Sequence, residues 1–190
     1  MSYQRKIEYT IKAKESFEIL RNCSGCGGKS AFYNTNCFRV NANGNKIDVW
    51  LIYQCKKCKH TCNLTVCERC RPDSILKQEY GGYLKNSEEL AYQYGTDSQF
   101  FARNKAEIDW QNLKYVISKK SKMIEGTGGI FQKGDLLYVS NQQALKIRTD
   151  KVVSEILNLT RSKLKEMEKA GVIIVTEERK THNISIKIER

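Results

Sequence analysis

The chain has 190 residues, 40% of them apolar, and 33 Lys and Arg against 21 Asp and Glu give a formal net charge of +12 at pH 7. That length suits one medium domain or two to three small ones. No apolar run reaches the roughly 18 residues of a spanning helix, so no membrane partner is expected. No apolar stretch follows the two basic residues of MSYQRKIEYT, which argues against a secretory signal and for a cytoplasmic setting, while the positive excess draws polyanions, nucleic acid or an acidic membrane face.

From the N-terminus, KIEYTIK (6–12) alternates Ile7, Tyr9 and Ile11 with polar residues and reads as a half-buried strand. FEIL (17–20) leads into the first cysteine pair. CFRVNA (37–42) and KIDVWLIYQ (46–54) flank Asn43-Gly44, whose residues tolerate positive φ, so a hairpin is expected there. Pro72, the only proline, marks a change of texture. From Asp73 to about Ser118 the apolar spacing turns helical: Leu90 and Tyr94 are four apart, and Trp110, Leu113 and Ile117 fall at three and four. Two or three helices are expected, with Ser87 and Thr96 as N-caps.

KKSKMIEGTGG (119–129) reads as a linker or exposed loop. A strand at LLYVS (136–140), two helices between Asp150 and Ala170, and closing strands VIIVT and NISIKI complete the chain. The expected fold class is α+β, in three parts: a cysteine-rich β module (1–72), a helical segment with linker (73–128) and a C-terminal module (129–190).

All eight cysteines lie between Cys23 and Cys70. In a reducing compartment a disulfide framework is not expected, and metal or redox chemistry takes its place. Cys23-x-x-Cys26 and Cys55-x-x-Cys58, brought together by the hairpin between them, offer four thiolates at the spacing of a structural Zn²⁺ site. A redox dithiol is the rival reading, but nothing around Ser24-Gly25 opens a helix as such motifs require. Gly25, Gly27 and Gly28 suit a tight turn close to a metal. His60, Cys62, Cys67 and Cys70 offer a second site, although thiols and an imidazole without metal are the favoured reading. Cys37 reads as a small buried hydrophobe.

Zinc is thus the expected cofactor. The module from about 17 to 62 resembles a zinc ribbon, which implies Cys23, Cys26, Cys55 and Cys58 as ligands with a folding rather than a catalytic role.

In RTDKVVSEILNLTRSKLKEMEKAGVIIV (148–175), Thr149 or Asp150 is expected to cap a first helix with Val152, Val153, Ile156 and Leu157 on its apolar face. Thr160 is expected to cap a second, in which Leu164 and Met167 face the core and Gly171 follows the last turn. On that second helix Arg161, Lys165 and Lys169 recur every four residues as one stripe, with Lys163 on the opposite flank.

Arg148-Thr149-Asp150, Thr160-Arg161 and Gly171-Val172-Ile173-Ile174-Val175 stand at the spacing of the S-four domain. The stretch therefore resembles that RNA-binding module, and the resemblance implies that Arg148, Lys151, Arg161, Lys165 and Lys169 face structured RNA; Lys163, on the opposite flank of the same helix, is the sixth candidate contact. Two features depart from its pattern: Thr176-Glu177-Glu178 replaces the usual Asn-Gly, and Lys133-Gly134-Asp135 precedes the helices. The same residues also resemble a winged helix, with 161–170 as recognition helix and the hairpin around 178–180 as wing, which implies a DNA-binding regulator. As a whole the chain is similar to an uncharacterised bacterial family of cysteine-pair proteins classed only as a domain of unknown function.

The leading expectation is a zinc-stabilised nucleic-acid-binding protein, RNA favoured over DNA. Catalysis is not expected: the only histidines, His60 and His182, lie far apart, and Gly126-Thr127-Gly128-Gly129 lacks the Lys-Ser/Thr of a phosphate loop. A third reading is a protein–protein adaptor. Tyr80, Tyr83, Tyr92, Tyr94, Phe100, Phe101 and Trp110 would serve it if exposed, although core packing is their ordinary role.

Overall fold

The computed structural model describes residues 5–120, 131–179 and 181–189. The expected linker therefore lies, from residue 121 onward, outside the described residues, as does Lys180 of the closing hairpin. In chain order the elements are β1 (Lys6–Ala13), β2 (Ile19–Cys23), β3 (Gly28–Asn43), β4 (Lys46–Cys55), β5 (Thr61–Cys70), α1 (Lys77–Leu84), α2 (Glu88–Gly95) and α3 (Ser98–Arg103). There follow β6 (Glu107–Ile108), β7 (Tyr115–Lys120), β8 (Leu136–Ser140), α4 (Thr149–Leu157), α5 (Arg161–Lys169), β9 (Ile173–Glu177) and β10 (Ile184–Ile188). The fold is mixed and strand-rich, with two sheets and five α-helices among the described residues, consistent with the α+β expectation.

Two compact units emerge, residues 13–114 and residues 1–12 with 115–190. These do not coincide with the boundaries expected at 72 and 128. The reason is strand partnership: β1 pairs with β8, from Lys6 opposite Leu136 to Thr10 opposite Ser140, and so joins the C-terminal unit. The helical segment meanwhile packs in the cysteine-rich unit, where α1 and α2 cover β3.

In the unit 13–114 the sheet runs β5-β4-β3-β2-β6, all antiparallel. Along β4, Val49, Leu51, Tyr53 and Cys55 are fully buried while Trp50, Ile52 and Gln54 are half-buried, the period of two that puts alternate side chains on one face. The β3–β4 turn shows the expected hairpin shifted by one residue. Asn43 pairs with Lys46, so Gly44-Asn45 form the loop, and only Gly44 takes a positive φ, 62°. A glycine first in the pair fits a type II′ turn.

Between Asn34 and Phe38, β3 bulges outward. Asn36 sits at φ 59° with its N–H donating to Asn34 Oδ1, and Phe38 N–H donates to Asn86 Oδ1. This bulge carries Cys37 into solvent, which corrects the expectation of a buried hydrophobe.

Ser87 caps α2 as expected, accepting from Leu90 N–H at 3.3 Å. Asp97, not Thr96, caps α3; the Thr96 hydroxyl instead donates to the Tyr92 carbonyl at the end of α2. The helical spacing of Trp110, Leu113 and Ile117 also misleads, because 110–112 is a single 3-10 turn and 115–120 is β7. Here an edge pairing with β1 outweighs local periodicity. Of the seven aromatic residues from Tyr80 to Trp110 none is exposed: Tyr94 packs on Phe38, Tyr83 and Phe100, and Phe101 packs on Phe17, Tyr53 and Phe100.

The other unit carries the sheet β7-β1-β8-β10-β9, with β1 parallel to β8 and β10 antiparallel to both β8 and β9. Ile7, Ile11, Leu137, Val139, Val152, Val153, Leu164 and Ile186 are buried in its core. Asp135, almost wholly buried, accepts from Arg5 Nε at 3.0 Å and from the Gln132 N–H, pinning the start of β1 to the turn before β8. No helix among the described residues is long and apolar enough to cross a membrane.

Candidate metal centre and basic helix face

The meander explains why the cysteine pairs meet. In successive antiparallel hairpins the β2–β3 and β4–β5 turns fall at the same end of the sheet, the first closing between Cys23 and Gly28, the second between Gln54 and Thr61. Cys23, Cys26, Cys55 and Cys58 gather there with all four sulfurs within 4.8 Å of one another. Cys23 Sγ lies 3.3 Å from Cys58 Sγ, and Cys26 Sγ lies 3.8 Å from Cys55 Sγ. Four thiolates around one Zn²⁺ at about 2.3 Å stand about 3.8 Å apart, so the cluster can hold a metal ion and its spacing is compatible with zinc.

A backbone hydrogen bond closes each turn, over three residues in the first and four in the second. Cys26 N–H donates to the Cys23 carbonyl, and Lys59 N–H to the Cys55 carbonyl. Gly25 is needed for room, since a Cβ there would stand 2.9 Å from Cys58 Sγ; Gly27 is needed for conformation, at φ 69°. Gly28 meets neither demand and simply begins β3. The second turn sets Lys59 at φ 65° in the place of Gly27, which no glycine in the sequence announces.

Charge is unevenly stabilised across the cluster. The backbone amides of Cys58 and Lys57 aim at the Cys55 sulfur and bring its pKa down to about 6 despite burial. Burial, then the Cys58 sulfur, push the Cys23 thiol up. Ser24 Oγ and His60 Nε2 stand 3.0 Å apart and bridge the two turns.

His60, Cys62, Cys67 and Cys70 do not gather: among the described residues the four-cysteine cluster is the one group able to hold a metal. Cys62 is half-buried, its thiol pushed up by burial and drawn down by Arg21. Cys67 and Cys70 instead face one another on β5 with Cα atoms 6.1 Å apart, within the span of a disulfide and away from the metal cluster.

On the C-terminal helices, Thr160 caps α5 as expected by accepting from Lys163 N–H, and Gly171 follows it at φ 67°. Neither Thr149 nor Asp150 caps α4. Arg148 is its N-cap residue but its side chain makes no capping bond, donating instead to Asp150, while the Thr149 hydroxyl donates to Glu177. The Arg148 guanidinium holds the Asp150 carboxyl below its ordinary range.

The six basic residues expected to meet RNA therefore divide. Arg148 is paired with Asp150 at 2.6 Å, Lys163 with Glu166 at 3.1 Å, and Lys151 Nζ lies 4.9 Å from the centre of the Tyr115 ring. Arg161, Lys165 and Lys169 are exposed; Lys165 and Lys169 have no salt bridge among the described residues, whereas the charge of Arg161 reaches the Asp150 carboxylate and helps to hold its pKa down. Their unit carries 18 Lys and Arg against 10 Asp and Glu, a net +8, whereas residues 13–114 carry 15 against 11, a net +4 before any metal is counted.

No curated protein and no solved structure matches the chain. A family model does match, over a span that begins after the first cysteine turn and includes the second turn, α4 and α5. By that match over residues 40–179 the chain belongs to the family described as "Protein of unknown function (DUF1062)".

Proposed function

We propose that this is a cytoplasmic, zinc-stabilised nucleic-acid-binding protein that grips structured RNA through α5. The observation that carries the reading is the row Arg161, Lys165, Lys169: three exposed cations one helical turn apart, of which only Arg161 feels a nearby carboxylate, that of Asp150, which Arg148 already binds. Like charges at that spacing cost an isolated helix a few tenths of a kcal/mol each, and a phosphate chain offsets the cost. The net +8 of the surrounding unit favours the same ligand.

In this reading Cys23, Cys26, Cys55 and Cys58 hold Zn²⁺ in a ribbon-like pair of turns. Four thiolates complete a tetrahedron, leaving no position for substrate, so the metal's contribution is to folding. Arg148, Lys151 and Lys163 would join the RNA contact by exchanging their present partners for phosphate.

One observation favours a second reading. The chain order β8, α4, α5, β9, β10, with β10 hydrogen-bonded between β8 and β9, is that of a winged helix, and Arg179 sits at the tip of the β9–β10 hairpin. A helix enters the B-DNA major groove but not that of A-form RNA, so the two readings separate by experiment. Binding to structured RNA is measured at two salt concentrations with duplex DNA as competitor at equal phosphate. The stripe alone predicts a log–log salt slope on the order of −2 to −3, steepening to about −4 when all six residues engage phosphate. A flat salt response removes both readings, and displacement by duplex DNA selects the winged helix.

A further inference from the structure

Cys67 and Cys70 lie apart from the metal cluster, on β5 at the edge of the sheet. In a regular strand, residues three apart point to opposite faces with Cα atoms about 10 Å apart, too far for a sulfur bridge. Here the strand is bent to bring them together. Cys67 pairs with Val49 and Cys70 with Ile47, so β5 uses one residue more than β4 across the same span.

The extra residue is absorbed at Arg69, held at φ 51°, with its N–H donating to Asp48 Oδ1 at 2.7 Å. Asp48 itself is buried. A left-handed conformation is unfavourable at a residue other than glycine, and the buried carboxylate holds it in place. The result is a Cα separation of 6.1 Å, inside the range that a disulfide spans. Both cysteines remain half-exposed, within reach of small solutes, and Cys70 Sγ stands 3.7 Å from the Glu68 carbonyl, a partner for its thiol in the reduced form.

We propose that Cys67 and Cys70 form a reversible thiol–disulfide site that reacts with low-molecular-weight disulfides, independently of the metal cysteines. One thiolate attacks a sulfur of the small disulfide, forming a mixed disulfide and releasing one small thiol. The neighbouring thiolate then attacks the protein sulfur of that bond and expels the second small thiol. Two protein thiols lose two protons and two electrons, the S–S bond of the oxidant is reduced, and two small thiols leave.

The test uses reduced, metal-loaded, full-length protein incubated with oxidised glutathione, then blocked with N-ethylmaleimide and digested with trypsin. Cleavage after Lys59, Arg69 and Lys77, with Arg71 protected by Pro72, leaves peptides 60–69 and 70–77. The expected result is that these two peptides are recovered joined, with Cys62 alkylated and metal content unchanged, and that dithiothreitol separates them. Cys67→Ser and Cys70→Ser should each retain a lasting glutathione adduct on the remaining cysteine, which the unaltered chain does not. Full alkylation of Cys67 and Cys70 after oxidation, a lasting adduct on the unaltered protein, or earlier oxidation of Cys23, Cys26, Cys55 or Cys58 would overturn the proposal. Should either variant fail to fold, the digest of the unaltered chain decides alone.

Discussion

Gly27 and Lys59 hold the same place in the two cysteine turns, each directly after the second cysteine of its pair and each left-handed, with φ of 69° and 65°. Their identities predict opposite responses. Gly27→Ala should lower the stability of the metal-loaded protein by about 1 kcal/mol, and Lys59→Gly should raise it by about 0.5 kcal/mol, because only glycine takes this conformation freely. Urea unfolding measures both. A loss above about 1 kcal/mol for Lys59→Gly would mean that its contact with the Tyr33 ring outweighs backbone strain.

Metal removal should act on the fold of residues 13–114. One Zn²⁺ per chain is expected, and a chelator should abolish the cooperative unfolding of that unit, because the cluster ties the β2–β3 and β4–β5 turns together. Cys58→Ser should lose metal in the same measurement. Protein that is metal-free and still cooperatively folded would remove zinc from the description.

For the basic face, Arg161→Glu with Lys165→Glu should weaken RNA binding at least about tenfold, while Arg148→Ala with Lys163→Ala, whose cations are already paired, should weaken it less. Circular dichroism should be unchanged in both. Equal losses from the two double variants would show that the stripe has no privileged role.

Asp135 sets an acid limit on the C-terminal unit. Burial raises its pKa, but the Arg5 guanidinium and the Gln132 amide outweigh burial and hold it below the ordinary carboxylate range. A carboxyl depressed on folding contributes stability that is fully present above its ordinary pKa and is lost as pH falls through the folded value. Asp135→Asn should therefore cost about 2 kcal/mol at pH 7 and progressively less as the pH drops below about 4. An equal cost at pH 7 and pH 3 would show that charge has no part in it.

Gly95 predicts a steric effect. A Cβ there would stand 2.3 Å from Ser16 Oγ and 2.8 Å from Asn34 Nδ2. Gly95→Ala should destabilise by about 2 kcal/mol, and Ser16→Gly in the same chain should recover part of the loss. Thermal unfolding of the single and double variants checks this; absence of recovery would place the clash elsewhere.

Much was legible from residue order alone. The alternation of β4, the glycine turn at residue 44, the caps Ser87 and Thr160, the Gly171 stop and the spacing of the two cysteine pairs are local patterns, each carried by backbone chemistry within a few residues. Tertiary structure alone decided the partners. It drew β1 to β8 across the length of the chain, turned the helix-like spacing near residue 115 into an edge strand, and lifted Cys37 into solvent on a bulge. It also paired Arg148 and Lys163 with carboxylates while leaving Arg161, Lys165 and Lys169 open, and bent β5 until Cys67 met Cys70. Short-range preference fixes how a segment folds, but which segments share hydrogen bonds, and which charges find partners, depends on surfaces that exist only once the chain has closed on itself.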